Sequence, residues 1–297
     1  MSKRPSAALP TRHAAMQNRQ SLATGFRDVD NSGDTHACHQ CLDLIAGIPF
    51  FHEIKEDSFR IIADADPDYV LDAGCGAGTD LVTLASCLPE KCQFFGLDMS
   101  GSLLARAAER TKGIRDWCLL VRGDITNIPC RDGIFDACRI DRVLQHVHEP
   151  EQGIHELARI LKPGGTLIAF DNDWDTFSIS LDNQDLAARL AGFWRDSFAS
   201  GRIGRDLPGI FSECRIADIH AVPRTLALTD FSLAEHVFDI PVLLNRTEQA
   251  GMITHDEGIT IREELHQRIE EGTFSSEYTG FLVWGKKLGE MTEVQAD

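Results

Sequence analysis

No run of roughly 18 apolar residues occurs in the 297-residue chain, so no segment has the composition of a bilayer-spanning helix. Positive charge is scarce as well: 29 Lys and Arg stand against 46 Asp and Glu, a formal net charge of -17. A surface of that sign repels phosphate backbones and anionic headgroups, which argues against nucleic acid and membranes as partners. A secretory hydrophobic segment is missing ahead of the nine cysteines, which run from Cys38 to Cys214. They read as reduced thiols, and the cytoplasm is the expected compartment. No internal repeat is visible.

What is present is one substantial core, since 43% of the residues are hydrophobic. Residues 1–24 hold no acid and are rich in Ser, Ala and Arg, a composition that predicts a flexible, solvated tail. Residues 25–64 turn helical in pattern and read as an N-terminal cap. Residues 65–229 read as an α/β core. Within it Tyr69 to Ala73, Phe94 to Leu97, Leu119 to Val121, Phe135 to Ile140 and Thr166 to Phe170 are strand-like, separated by amphipathic stretches. That alternation predicts a doubly wound, mostly parallel sheet joined by right-handed crossovers. A helix from about Glu151 is expected to stop at Lys162-Pro-Gly-Gly165, and another is expected over Leu186 to Phe198. Ile216 to Val222 and Phe281 to Lys286 complete seven strands, the last two pairing antiparallel. Between them, residues 230–272 carry the capping-box patterns Ser232-Leu-Ala-Glu235 and Thr254-His-Asp-Glu257 and read as a helical lid; residues 273–297 hold the final strand and a tail.

The most informative segment is Val70-Leu-Asp-Ala-Gly-Cys-Gly-Ala-Gly-Thr-Asp80, a strand that runs into glycines 74, 76 and 78 and then into a helix. Such a turn at the carboxyl edge of an α/β sheet lets backbone approach a ligand closely. Asp98 ends the next strand, 20 residues after Gly78, where an acid can accept hydrogen bonds from both hydroxyls of a ribose. A nucleoside-containing cofactor follows. A dinucleotide would want a third glycine where Thr79 stands, so a nucleotide-dependent oxidoreductase is the less favoured reading.

With Asp72 to Gly78, Asp98 in Gly-Leu-Asp-Met-Ser, Gly123-Asp-Ile125, and Leu161-Lys-Pro-Gly-Gly165 after Phe135-Asp136, the sequence over about residues 65 to 171 resembles the class I S-adenosylmethionine (SAM)-dependent methyltransferases. More narrowly, it resembles their small-molecule group, which includes quinone and natural-product tailoring enzymes. The resemblance implies SAM as cofactor, S-adenosylhomocysteine as product, and a cofactor site built from Asp72, Gly74, Cys75, Gly76, Gly78, Asp98, Met99, Asp124, Ile125, Arg139, Arg142 and Gln145. It assigns the methionine portion to the loop at Gly74 and Gly76, the ribose to Asp98, one adenine face to Met99, and the adenine edge to Asp124 with Ile125. Met99 serves equally as a gap-filling core residue, and Asp124 as a helix cap.

Methyl transfer from a sulfonium is an in-line displacement, so alignment and exclusion of water matter most, and a base is needed only where the nucleophile must lose a proton. By resemblance, Arg139-Ile-Asp-Arg-Val-Leu-Gln-His-Val147 lies beside the donor, which makes Asp141 and His146 candidates for catalysis; Asp173, at the end of the fifth strand, is a rival base. His146 also suits a packed helix position, and Asp173 a turn. A small-molecule acceptor, probed by the apolar lid, is expected to meet Phe26, Arg27, His39, Asp171, Trp174, Phe238 and Leu244. Four soft ligands crowd His36-Ala-Cys-His-Gln-Cys41, yet no second pair has zinc-binding spacing, so no metal is expected. A SAM-binding regulatory or structural protein without transferase activity is the alternative function. Sequence leaves the acceptor atom and the oligomeric state open.

Overall fold

Seven strands form one sheet of order β3-β2-β1-β4-β5-β7-β6. The computed structural model describes residues 25–31, 35–114 and 118–289; the tail expected over residues 1–24 lies outside them. β1 (Tyr69–Ala73), β2 (Gln93–Asp98), β3 (Cys118–Arg122), β4 (Phe135–Asp141) and the first half of β5 (Leu161–Ile179) run parallel. β7 (Ser276–Lys287) runs antiparallel to both β5 and β6 (Ile216–Leu228).

Alternating side chains of the central strands feed two cores. Val70, Ile168 and Phe170 enter the core on one face. Leu71, Ala73, Leu167 and Ala169 enter the other. Both faces must be covered, as parallel strands buried on two sides require. On the first lie α2 (Pro49–Asp64), α3 (Thr79–Cys87) and α6 (Gln184–Asp196); on the second, α5 (Pro150–Ile160) and α7 (Ile203–Glu213). α1 (Thr35–Ile45) precedes α2, and α4 (Gly101–Thr111) follows β2. α8 (Phe231–Phe238), α9 (Ile240–Gln249) and α10 (His255–Glu271) fill the connection between β6 and β7 and pack onto the first core.

Three local features depart from the sequence reading. β5 continues to Ile179 instead of ending near Phe170, because β7 supplies ladder partners beyond Asp141, where β4 stops. α7 was not anticipated: Gly204, Pro208 and Gly209 mask its signal, yet Ile203, Leu207, Ile210 and Phe211 share a buried face. α8 is capped by Asp230, which accepts from the Leu233 N–H at 3.1 Å, and not by Ser232. The Thr254 box is present, with Thr254 N–H donating to Glu257 Oε2 at 2.7 Å and Glu257 N–H to Thr254 Oγ1 at 3.2 Å.

Candidate functional site

At the carboxyl edge of β1 the chain turns through Gly74 at φ 72°, and a Cβ there would lie 2.1 Å from Val143 Cγ2, so only glycine fits. Gly74 and Gly76 border a cavity over the sheet edge. Gly78 does not: its φ is 74°, a Cβ would sit 2.9 Å from Ala107 Cβ, and its bareness lets α3 approach α4. Cys75 also faces away from the cavity and is buried, which raises its thiol pKa.

Asp98 sits at the cavity floor, where Gly76 N–H donates to Oδ2 and Ser100 N–H to Oδ1, each at 2.8 Å. Burial pushes its carboxyl up, opposed by those two N–H groups. Each oxygen keeps acceptor capacity for a ligand diol. Beside it Met99, 53% exposed, offers soft apolar surface at the rim, with Ile125 and Leu103 deeper in. Asp124 borders the same space while its Oδ1 accepts from Thr126 N–H at 2.9 Å, the turn-forming role.

Behind this floor lies a buried lattice of charge. Arg139 donates to Asp72 at 2.9 Å, to Asp141 at 2.7 Å and to Ser58 Oγ at 3.0 Å, and forms an ion pair with Asp80 at 3.0 Å. Arg142 donates to the other Asp141 oxygen at 2.8 Å, with its guanidinium 4.3 Å from the Phe51 ring centre. Arg142 holds φ at 55°, a strained value for a side-chain-bearing residue, as the chain leaves β4. Asp141 and Arg142 reach the cavity wall; Asp72 and Arg139 support it from beneath. Burial works against ionising Asp141, but Arg142, Arg139 and Lys55 outweigh it and hold the carboxyl well below its ordinary range. That suits a fixed negative charge and not a base.

The far wall is aromatic. The β5–β7 ladder breaks between Asp173 and Ser178, so residues 174–177 bulge opposite Tyr278. Thr176 staples the bulge, its hydroxyl donating to Asp173 O at 2.6 Å and accepting from Thr279 N–H at 2.7 Å. Trp174 thereby enters the cavity, stacked on Phe198 at 4.9 Å and lying 4.5 Å from the Tyr278 ring. The His146 ring sits between Phe26 at 5.7 Å and Phe198 at 5.6 Å. Phe26, Arg27 and Val29 cross the opening; Arg27 donates to Ser197 O at 2.9 Å on one side, and Asp30 accepts from Gly101 N–H at the start of α4 on the other.

Of the residues singled out in the sequence, the cavity gathers Phe26, Arg27, Gly74, Gly76, Asp98, Met99, Asp124, Ile125, Asp141, Arg142, Gln145, His146 and Trp174. His39, Asp171, Asp173, Phe238 and Leu244 do not border it. Asp173 is paired with Arg205 of α7, on the other face of the sheet. Asp171 is buried beneath Gln145, whose N–H it accepts. Phe238 and Leu244 belong to the core, where Phe238 backs the wall by packing on Trp174 and Phe177, while its neighbour Val237 reaches the cavity. His39 sits on a face of α1 beside the one that brings Cys41, Leu42 and Ile45 to the cavity. The reading missed Asn172, Trp194, Phe198 and Tyr278. Trp194 and Phe198 lie four apart, a helical-face signal; Tyr278 was hidden because the last strand starts five residues earlier than Phe281 suggests.

Residues 71–169 match a family model described as a methyltransferase domain. An uncharacterised 37.1 kDa protein of transposon TN4556 from Streptomyces fradiae is 34% identical over 64% of this chain and 55% of its own length. The demethylmenaquinone methyltransferase of Desulfitobacterium hafniense is 33% identical over 34% of this chain and 41% of that enzyme. This chain thus spans about half the length of such curated relatives. Among solved structures, the YcgJ protein of Bacillus subtilis aligns with TM-score 0.56 at 17% identity, covering 80% of this chain and 99% of that one, a likeness of fold.

Proposed function

We propose that this protein, built on a class I SAM-dependent methyltransferase domain, transfers the methyl group of SAM to a small, largely apolar aromatic acceptor. The observation that carries the reading is one continuous cavity that runs from Gly74, Gly76 and Asp98, past Asp141 and Arg142, to the rings of Trp174, Phe198 and Tyr278. A polar nucleoside end and a flat apolar end meet there, as a two-substrate transfer requires.

The residues present fit the cofactor. Asp98 has both oxygens oriented by backbone N–H groups and capacity left for a diol; Met99 offers an uncovered thioether for a base; Gly76 leaves open space, its nearest side-chain neighbour being Leu42 at 4.0 Å from a would-be Cβ. When bound, SAM supplies an electrophilic methyl carried on a sulfonium. Asp141, kept ionised by Arg139 and Arg142, sets a rigid, paired carboxylate in the cavity wall. Trp174, Phe198, Tyr278 and Phe26 exclude water and orient a flat acceptor. For an acceptor that must lose a proton, the His146 imidazole on the same wall is the group to take it. Named relatives that methylate demethylmenaquinone support a planar acceptor.

Calorimetry with SAM and S-adenosylhomocysteine, followed by measuring S-adenosylhomocysteine release with a panel of bicyclic aromatic acceptors, tests the proposal. Failure of either nucleoside to bind refutes it; tight binding with a cavity that accepts no aromatic ligand supports the non-transferase alternative.

A further inference from the structure

The indole N–H of Trp174 donates to Gln145 Oε1 at 2.7 Å. An indole only donates, so the Gln145 amide is oriented with oxygen toward Trp174 and nitrogen toward Arg142 O, 3.3 Å away. Asn172 meets that same oxygen at 3.0 Å and must therefore present Nδ2 to it. Its own Oδ1 is left over: Asn172 is 3% exposed, and the oxygen has no hydrogen-bond partner among the described residues. Trp194, also 3% exposed, leaves its Nε1–H in the same condition. Buried polar atoms are almost always paired; besides Arg27 Nε in the segment that crosses the opening, these two orphans of opposite sense deep in the cavity call for a ligand that completes both.

The surroundings define that ligand's shape and charge. Trp174 lies parallel to Phe198, 18° between planes, and perpendicular to Trp194, at 89°, so flat walls meet the two polar atoms. Asp141 and Arg142 neutralise each other nearby and leave no net charge for a charged ligand to oppose. Resting on the acceptor reading above, we propose that Asn172 and Trp194 select a neutral planar acceptor carrying both a hydroxyl or ring N–H, given to Asn172 Oδ1, and a carbonyl-type oxygen, which receives the Trp194 N–H. An aromatic with only one of these groups leaves one orphan buried and binds less well.

Four flat bicyclic probes separate the two contacts: 7-hydroxycoumarin has both groups, coumarin the carbonyl, 2-naphthol the hydroxyl, naphthalene neither. Binding is read by quenching of tryptophan fluorescence with S-adenosylhomocysteine present, below neutral pH so that the hydroxyls stay protonated. On the unaltered protein 7-hydroxycoumarin binds best, about tenfold over either singly substituted probe. Trp194→Phe weakens coumarin and 7-hydroxycoumarin about tenfold and spares 2-naphthol; Asn172→Leu weakens 2-naphthol and 7-hydroxycoumarin and spares coumarin. No preference for 7-hydroxycoumarin on the unaltered protein overturns the pair without any variant having to fold. A uniform loss across all four probes, or loss of S-adenosylhomocysteine affinity in Asn172→Leu with the probes unchanged, also overturns it. Calorimetry of S-adenosylhomocysteine on the unaltered protein reports separately on the methyltransferase reading.

Discussion

Gly101 donates its backbone N–H to Oδ2 of Asp30 at 2.8 Å, which ties the segment crossing the cavity to the first turn of α4. Ser100 Oγ and Ser102 N–H donate to Oδ1, at 2.7 and 3.2 Å. The Ser102 and Ser100 hydroxyls foremost, with the Gly101 and Ser102 N–H groups, hold this carboxyl well below its ordinary range. A depressed carboxyl contributes stability that is present above its unfolded value, about 4, and lost as pH falls below it. Asp30→Ala is expected to cost about 1 kcal/mol near neutrality, as loss of a helix cap does. Urea melts check this: the deficit relative to the unaltered protein must shrink in acid.

Arg139 is the one cation that touches Asp72, Asp80 and Asp141 together among the described residues. Arg139→Leu strands Asp72 and takes one partner each from Asp80 and Asp141, which keep Lys55 and Arg142, and is expected to destabilise the fold by about 3–5 kcal/mol. A chemical denaturation midpoint within error of the unaltered protein would show that the lattice relaxes without it.

Asp171 has no cationic partner within hydrogen-bond reach among the described residues, and burial pushes its carboxyl up to about 7, the N–H groups of Asn172 and Gln145 opposing. Between its unfolded value and 7 the folded chain keeps a proton that the unfolded chain has released, so this residue makes stability fall as pH rises through that window. Asp171→Asn removes the penalty. Its stability gain should grow between about pH 5 and about pH 8, to a few kcal/mol; a gain that is the same at both fails the prediction.

Phe238→Ala and Val237→Ala separate anchoring from recognition. Phe238 is fully buried and backs the aromatic wall, so its truncation should cost about 3–5 kcal/mol of stability and disturb both ligands. Val237 borders the cavity, and its truncation should weaken aromatic probes while SAM affinity and melting temperature barely move. Equal stability losses in the two variants would void the distinction.

Asp98→Ala should reduce SAM affinity by about 2–3 kcal/mol, since charge-assisted bonds to the ribose go with the carboxylate. Unchanged affinity by calorimetry would place the nucleoside elsewhere.

The glycine and Asp98 end of the cavity was legible because its signals are local. Gly74, Gly76, Asp98 and Asp124 follow strands within a continuous alternation of strand and helix; positive φ demands the glycines, and spacing and resemblance marked the two acids. The aromatic end was legible only at His146, Trp174 and the Phe26 segment. Asn172, Trp194, Phe198 and Tyr278 meet through a bulge, a helix end and a late antiparallel strand, contacts between residues up to about a hundred apart that periodicity cannot express. Phe238 and Leu244 were expected on the cavity from their apolarity, yet apolarity marks core and pocket alike, and helical phase placed them in the core.

On β5, residues 174–177 stand opposite the single residue Tyr278, and the ladder resumes, shifted in register, at Ser178 with Glu277. The pairing on either side does not depend on what occupies the excess, so exchanging Trp174 or Phe177 alters the aromatic wall and its packing while the ladder of β5 and β7 on either side keeps its partners. Four positions of one strand thereby set the shape of the cavity's aromatic end, while the paired residues before and after them hold the sheet together.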